Sequence, residues 1–528
     1  MSHVKMGHAV ASGSDGMSAL STRLRPALTA ALLSLVLGGS PAEAGKRDDT
    51  LRWASTFAIP SGEPYYNSFR EGVLFIGQMV WDTLIHRDPD TSQYKPLLAT
   101  AWRWIDPLTL ELDLRRDVSF HDGRAFSADD VVYTLNFVID PANKVNNPSN
   151  VNWIRRAEKT GPHQVRLLLH APFPAALEYL SGPIAIMPVD FYRDAGAGRA
   201  VPAARLIGTG PYRFTRWDPG KEAQFEINPA YMADSPKGRP SIRRVVMRVV
   251  PDAGTQMAEL MAGGVDWISQ LPEETAQKLA TVPNIAVLSA ETMRIIFLQF
   301  DVEGRAGPNP FQDRRVREAV AHAIDRDAIV KNLIGAGSRT WHAFCFETQF
   351  GCTTEVRRIA YDPARARQLL SEAGYPNGFD TEILGFRSRP RIEALNGFLA
   401  AAGIRTRLSF MAYAAVRDRQ HKGQARLVDT SWGSYSLNDT AAMVNPFFTH
   451  LPDDMVRDAE IKAWAEAAST AIDPEERKRL YGLILRKIAD NVFVLPLYTN
   501  PSVTAFTSDL AYRTWPDENP RFYMQRWR

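Results

Sequence analysis

Hydrophobic positions recur along this chain at two spacings that alternate in blocks. After Ser127-Ala128-Asp129-Asp130, the residues Val131, Val132, Leu135, Val138 and Ile139 fall at helical intervals. Ser127 and Asp130 form the two ends of a capping box, and Phe126 is placed to staple onto Val131, so a helix is predicted to start here. Asp473-Pro474-Glu475-Glu476 repeats the logic, with proline at the first helical position ahead of Leu480, Leu483, Ile484 and Ile488. Asp362-Pro363 opens a third helix, which Gly374 closes. Between such segments lie β-rich stretches at 242–250 and 294–300, whose Ile, Val, Phe and Met suit a pleated, half-buried surface. One unit reads through completely: a helix at 255–261, a stop at Gly263-Gly264 and a strand at 265–268. The alternation predicts α/β lobes with mixed sheets and more than one core.

The length of 528 residues points to three or four cores at roughly 100–200 residues each. With 62 Lys+Arg against 59 Asp+Glu, the formal net charge is only +3. That balance argues against a bulk electrostatic grip on nucleic acid or an anionic membrane, since both need a concentrated excess of Lys and Arg. Two cysteines exclude a disulfide-stapled miniprotein.

The N-terminal pattern adds an address. Arg23 and Arg25 precede an apolar run at 27–37, followed by Gly-Gly-Ser-Pro-Ala-Glu-Ala ending at Ala44. The run is shorter than the ~20 residues of a spanning helix and has no polar face, so residues 1–44 read as a secretory signal peptide. Ala42-Glu43-Ala44 supplies small residues for cleavage after Ala44. No cysteine lies nearby to carry a lipid anchor, and a free periplasmic protein is the expected product. In that oxidising compartment Cys345 and Cys352 are expected to form a structural disulfide rather than half of a zinc site.

The chain carries no Gly-x-x-x-x-Gly-Lys-Ser/Thr loop, Gly-x-Gly-x-x-Gly, Gly-x-Ser-x-Gly elbow or His-Glu-x-x-His. Nucleotide, hydrolase and zincin chemistry therefore lose their usual entry points, and no cofactor or metal is implied. His121-Asp122 precedes Gly123 and reads as a turn, while Asp129-Asp130 belongs to a helix start where negative charge meets the dipole.

Several separated blocks together carry a resemblance. They are Tyr94-Lys95-Pro96-Leu97-Leu98-Ala99, the run from Leu114 to Gly123, the run from Phe126 to Thr134, Gly208-Thr209-Gly210-Pro211-Tyr212, Asp313-Arg314-Arg315-Val316-Arg317-Glu318-Ala319 with Ala323-Ile324-Asp325-Arg326, and Tyr361-Asp362-Pro363 with Glu372-Ala373-Gly374-Tyr375. In this order they resemble the extracellular solute-binding proteins, family 5, the peptide and nickel binders of ATP-binding cassette (ABC) importers. The resemblance implies an α/β, two-lobed periplasmic binding protein fold of the large class II, cluster C type. Lobe I would comprise 45–290, with an extra subdomain inserted at about 70–205, and would be completed by 495–528. Lobe II would comprise 291–494. It also implies a monomeric, non-enzymatic receptor that closes on a small peptide-like or anionic solute and delivers it to a membrane permease. Alternatives are a nickel, metallophore, sugar or opine binder of the same fold and, from another class, a secreted hydrolase.

Peptide binders of the family hold the ligand carboxylate with an arginine in an Arg-Pro element ahead of a helix. The resemblance places Arg389 there, before a helical stretch at 392–402, with Arg387 and Arg391 close by. A guanidinium suits the task because its planar fork bonds two carboxylate oxygens and stays charged when buried. The same proteins pair the peptide ammonium with an aspartate three residues after a tryptophan; here Trp432 is followed at that distance by Tyr435. An enclosed ammonium without a counter-charge suffers a penalty of several kcal/mol. Asp439 and Glu63 are the candidate substitutes, and Trp432, Tyr435, Tyr65 and Tyr66 could offer flat apolar faces to a solute.

Overall fold

Two long antiparallel strands, Ile285–Phe300 and Val494–Thr507, pair with each other in the interior of the largest sheet. The computed structural model describes residues 45–59, 61–67, 71–193, 195 and 201–528; the predicted leader, 1–44, lies outside them. Along the first long strand Ile295 and Phe297 enter one core, while Ile296, Leu298 and Phe300 enter another on the opposite face. This is the two-residue period of a strand buried on both sides. The pairing of the two strands runs from Ile285 opposite Thr507 to Glu291 opposite Pro501, breaks, and resumes at Ile295 opposite Thr499. Before the break the strand packs on one pair of cores and after it on two others, and the ladder hydrogen bonds are interrupted at the break itself.

Eight further strands extend this pair into a ten-stranded sheet. Beyond Val494–Thr507 come Trp267–Ser269, Thr50–Ser55, Arg244–Val249, Glu222–Ile227 and Tyr212–Asp218. Beyond Ile285–Phe300 come Leu427–Trp432, Phe379–Gly385 and Ile404–Phe410. A separate four-stranded antiparallel sheet, ordered Ala99–Asp106, Thr109–Leu114, Gln164–Leu169 and Ile154–Gly161, is built from chain between Thr50–Ser55 and Tyr212–Asp218. Its cover is the helix Ala128–Ile139, whose Val131, Leu135 and Val138 join the largest core.

The helix starts follow their local chemistry. Ser127 and Asp130 form the capping box, with Ser127 Oγ accepting the Asp129 N–H, and the helix Pro474–Asp490 starts behind Asp473. The helix Pro363–Glu372 starts behind Asp362 and ends ahead of Gly374, at φ +92°. The helix of the legible unit is Ala253–Met261 and its strand is Trp267–Ser269; the long central strand begins at Ile285, nine residues before the 294 expected from the apolar run. His121 sits in the Asp-Gly turn and ties two distant blocks together. Its Nδ1 accepts the Gly208 N–H at 3.2 Å, and its Nε2 lies 3.0 Å from the Gly210 carbonyl. Cys345 and Cys352 are bridged, with Cα atoms 5.6 Å apart.

Candidate functional site

Phe379–Gly385 runs parallel to Ile404–Phe410 and to Leu427–Trp432, so all three strands end at one edge of the sheet. Open α/β sheets bind ligands outside the carboxyl ends of their parallel strands, where successive connections diverge and leave a crevice. Gly385 pairs with Phe410 at that edge, which brings the segments after both strands side by side. The Phe386 and Tyr413 rings lie 4.8 Å apart. The Arg387 guanidinium stands 5.5 Å over Phe386, and that of Arg389 5.3 Å over Phe410. Both arginines are exposed, and Phe410 and Tyr413 are partly open to solvent at 37% and 46%.

The helix here is Arg389–Ala401, so Arg389 lies in its first turn rather than ahead of it. Ser388 caps the start by accepting the Arg391 N–H, and Pro390 occupies a first-turn position where no N–H is needed. Arg389 keeps 58% of its side-chain surface and meets Glu393 Oε1 at 3.5 Å one turn along. Arg391, two residues on, is buried. Its Nε reaches Asp429 Oδ1 at 3.0 Å, its Nη2 holds Oδ2 at 2.5 Å, and its Nη1 reaches the Tyr498 hydroxyl at 3.3 Å. The Asp429 carboxylate holds the Arg391 guanidinium firmly protonated. Arg391 is therefore engaged in the core.

The two candidate counter-charges, Glu63 and Asp439, are likewise buried and partnered within the protein. Glu63 is fully buried and accepts four hydrogen bonds, from Ser61 Oγ (3.1 Å), the backbone N–H groups of Tyr65 and Tyr66 (both 2.8 Å) and the Tyr192 hydroxyl (2.7 Å). It shapes its own loop, and burial pushes its carboxyl up. Asp439 is buried against Arg477 at 2.8 Å and accepts the Ala441 N–H at 2.9 Å. Both carboxylates already have partners within the protein. Tyr65 is core, its hydroxyl donating to the Ala185 carbonyl at 2.7 Å, and Tyr66 donates to the Asn143 carbonyl at 2.6 Å. Trp432 is half-buried, with its indole N–H donating to the Ala442 carbonyl at 2.7 Å and its ring edge-on to Phe447. The Tyr435 side chain lies outside what the structure describes.

The segment after Trp432 also meets residues far away in the chain. Arg87 Nη2 donates to the Ser436 carbonyl at 2.9 Å, Glu178 accepts the Asn438 N–H at 2.6 Å, and Ser436 Oγ donates to the Asp517 carbonyl at 2.6 Å. Leu437 inserts into the largest core. At the strand break, Arg294 binds Glu518 at 2.8 Å beside Gly433. Sequence reasoning missed Arg87, Glu178, Arg294, Asp517 and Glu518, because their partners are far away in the chain. Asp429 carried a signal: it shares a strand face with the buried Leu427, and a charge there calls for a buried partner. Among the described residues no group of three or more His, Cys, Asp or Glu side chains could hold a metal ion, and no helix is long and apolar enough to cross a membrane.

Residues 93–453 match the model of the bacterial extracellular solute-binding proteins, family 5, middle region. Heme-binding protein A of Haemophilus influenzae is 27% identical over 442 residues, covering 76% of this chain and 78% of that protein. Glutathione-binding protein GsiB of Salmonella choleraesuis is 28% identical over 426 residues, covering 77% and 80%. Among solved structures, NikA from Brucella suis in complex with Fe(III)-EDTA superposes with a TM-score of 0.80 at 22% identity, over 91% of this chain and 100% of that one.

Proposed function

Because this chain belongs to the bacterial extracellular solute-binding proteins, family 5, we propose that it captures an anionic, peptide-like organic solute between its lobes and hands it to the permease of an ABC importer. It works as a monomeric receptor, and its relatives are binding proteins rather than enzymes. Export with removal of residues 1–44 and release into the periplasm belong to the same proposal. So does the division into lobe I (45–290 and 495–528) and lobe II (291–494), hinged at the break between Glu291 and Ile295.

The observation that carries the choice of solute is a charge asymmetry at the carboxyl edge. Arg387 and Arg389 are exposed and stand over aromatic rings there, Arg389 also meeting the exposed Glu393 at 3.5 Å, whereas the carboxylates Glu63, Asp429 and Asp439 are buried within the protein. A solute anion can take a bidentate hold on such a guanidinium and lay apolar surface on Phe410 or Tyr413. An ammonium would meet no available carboxylate among these three. Relatives named for binding heme and glutathione support a carboxylate-bearing guest of moderate size.

Calorimetric titration with matched ligands tests the reading: acidic peptides with free or acetylated N-termini, and the same peptides amidated at every carboxyl. Acetylation should leave affinity nearly unchanged and amidation should abolish it. Tight binding of the amidated, free-amine series would overturn the proposal.

A further inference from the structure

Asp266 precedes the strand Trp267–Ser269 and is only 3% exposed. Its Oδ2 accepts the Arg52 N–H at 2.7 Å, but the Arg52 guanidinium stays 4.0 Å away and is held on its other side by Asp48. Burial raises the Asp266 carboxyl to about 7, so this oxygen pair lacks the close cation that an enclosed carboxylate needs. The other oxygen, Oδ1, faces Gly45. A Cβ built on Gly45 would stand 2.7 Å from it and 3.6 Å from the Trp527 ring.

Gly45 is itself buried, at φ +97°, and its carbonyl accepts the Thr50 N–H at 3.2 Å. That backbone region suits glycine, and here a side chain would also collide with the carboxylate. Standard bond lengths place the Gly45 nitrogen within about 5 Å of Oδ1. Before processing, that nitrogen is a neutral amide joined to Ala44.

We propose that removal of the leader creates the missing cation: the new α-ammonium of Gly45 docks on Asp266 and fixes the mature N-terminus to the central sheet. Water adds across the Ala44–Gly45 amide, leaving a carboxylate on Ala44 with the departing leader and an ammonium on Gly45. The charged side chains acting on Asp266 are Arg52 and Asp48, and neither supplies a full positive charge at Oδ1. The pairing places the processed end beside Trp527, whose indole N–H donates to Asp49 Oδ1 at 3.1 Å, so both ends of the mature chain close the same side of the sheet. The inference rests on the proposed cleavage after Ala44.

The test uses the full chain exported by a bacterium. Mass spectrometry of the purified protein should find Gly45 first; any other start overturns the cleavage reading and the docking with it. Given that start, an amine-selective acylating reagent is applied across pH 6–10 and modification of Gly45 is followed. Pairing should lift the α-amine about one unit above its usual ~7.7–8.0, slowing modification at pH 8 roughly fivefold, and Asp266→Asn should restore the ordinary rate. Equal rates in both proteins would overturn the docking while leaving cleavage intact. If Asp266→Asn fails to fold, the wild-type curve decides alone, and a midpoint at or below 8 refutes the pairing.

Discussion

Replacing Asp439 by alanine strips a buried guanidinium of its carboxylate. Arg477 and Asp439 each keep only 5% of their side-chain surface and meet at 2.8 Å. The remaining partners of Arg477 are the Ala468 carbonyl at 3.0 Å, the Tyr481 hydroxyl at 3.4 Å and the Phe350 ring at 4.8 Å. None of these carries a negative charge. Breaking a buried pair on one side costs about 3–5 kcal/mol, because the surviving ion keeps its desolvation penalty and loses its attraction. For a cooperative unit of lobe size, each kcal/mol shifts the melting temperature by about 2–4 °C, so Asp439→Ala should melt roughly 6–20 °C lower. The double variant Asp439→Leu/Arg477→Leu should recover much of that loss, since replacing both ions with apolar groups removes the uncompensated charge. Differential scanning calorimetry of ligand-free protein reads both. An aspartate that served instead as a solute anchor would behave in the opposite way, with unchanged melting and collapsed affinity. A melting temperature within about 1 °C of wild type in Asp439→Ala would refute the structural role assigned to it.

Arg387→Ala and Arg389→Ala should each weaken binding of the carboxylate-bearing peptide series at least tenfold by calorimetry, with melting nearly unchanged because surface substitutions alter stability by about 0.5 kcal/mol. Loss of stability without loss of affinity would count against them as solute contacts. Cys345→Ser/Cys352→Ser should cost about 2.5 kcal/mol from loop-closure entropy alone, read by denaturant unfolding, and the wild type should expose no reactive thiol when unfolded without reductant. His121 is held near pKa 4, chiefly by burial, so it is neutral in the fold. A depressed histidine makes no difference to stability above its unfolded pKa of about 6.5 and destabilises progressively as pH falls from there toward 4, by up to about 3 kcal/mol. Stability measured from pH 7 to 4.5 should fall less steeply in His121→Asn, and parallel curves would remove His121 from the acid response.

Local chemistry was legible wherever a few neighbouring residues decide an element. Ser127, Asp362 and Asp473 each cap a helix that starts where their hydroxyl or carboxylate can accept an orphan N–H. The central strand was only half visible: its 285–293 portion is partly buried and interleaved with Ser289 and Glu291, so it lacks the apolar run that marks 294–300. Sheet order was not legible. The parallel partners of Phe379–Gly385 are joined through helices and loops, and only their tertiary register brings Arg387, Arg389 and Trp432 to one edge. The burial of Glu63 and Tyr65 was not legible because their partners Tyr192 and Ala185 lie more than a hundred residues away. A carboxylate in a polar loop looks available until those partners are known.

Arg389 and Arg391 show how one turn of helix separates an exposed guanidinium from a buried one. Two residues along a helix are about 200° apart around its axis, so side chains at these positions leave on nearly opposite sides. One side points into the sheet, where Asp429 and Tyr498 enclose Arg391; the other points to solvent over Phe410. The buried ion pair holds the helix start against the strand carrying Asp429, and so fixes the direction in which Arg389 projects. An exposed guanidinium over an aromatic face gives up little when a carboxylate arrives, because its apolar side is already shielded and its edge donors remain in water until exchanged. The enclosed pair gives the opposite balance: any solute competing for Arg391 would have to displace a carboxylate already held by two hydrogen bonds. On the proposed reading, selectivity for an anionic guest at this edge rests on the exposed Arg387 and Arg389 rather than on the enclosed Arg391, and Arg391→Ala should impair binding only through loss of the platform, with melting and affinity falling together.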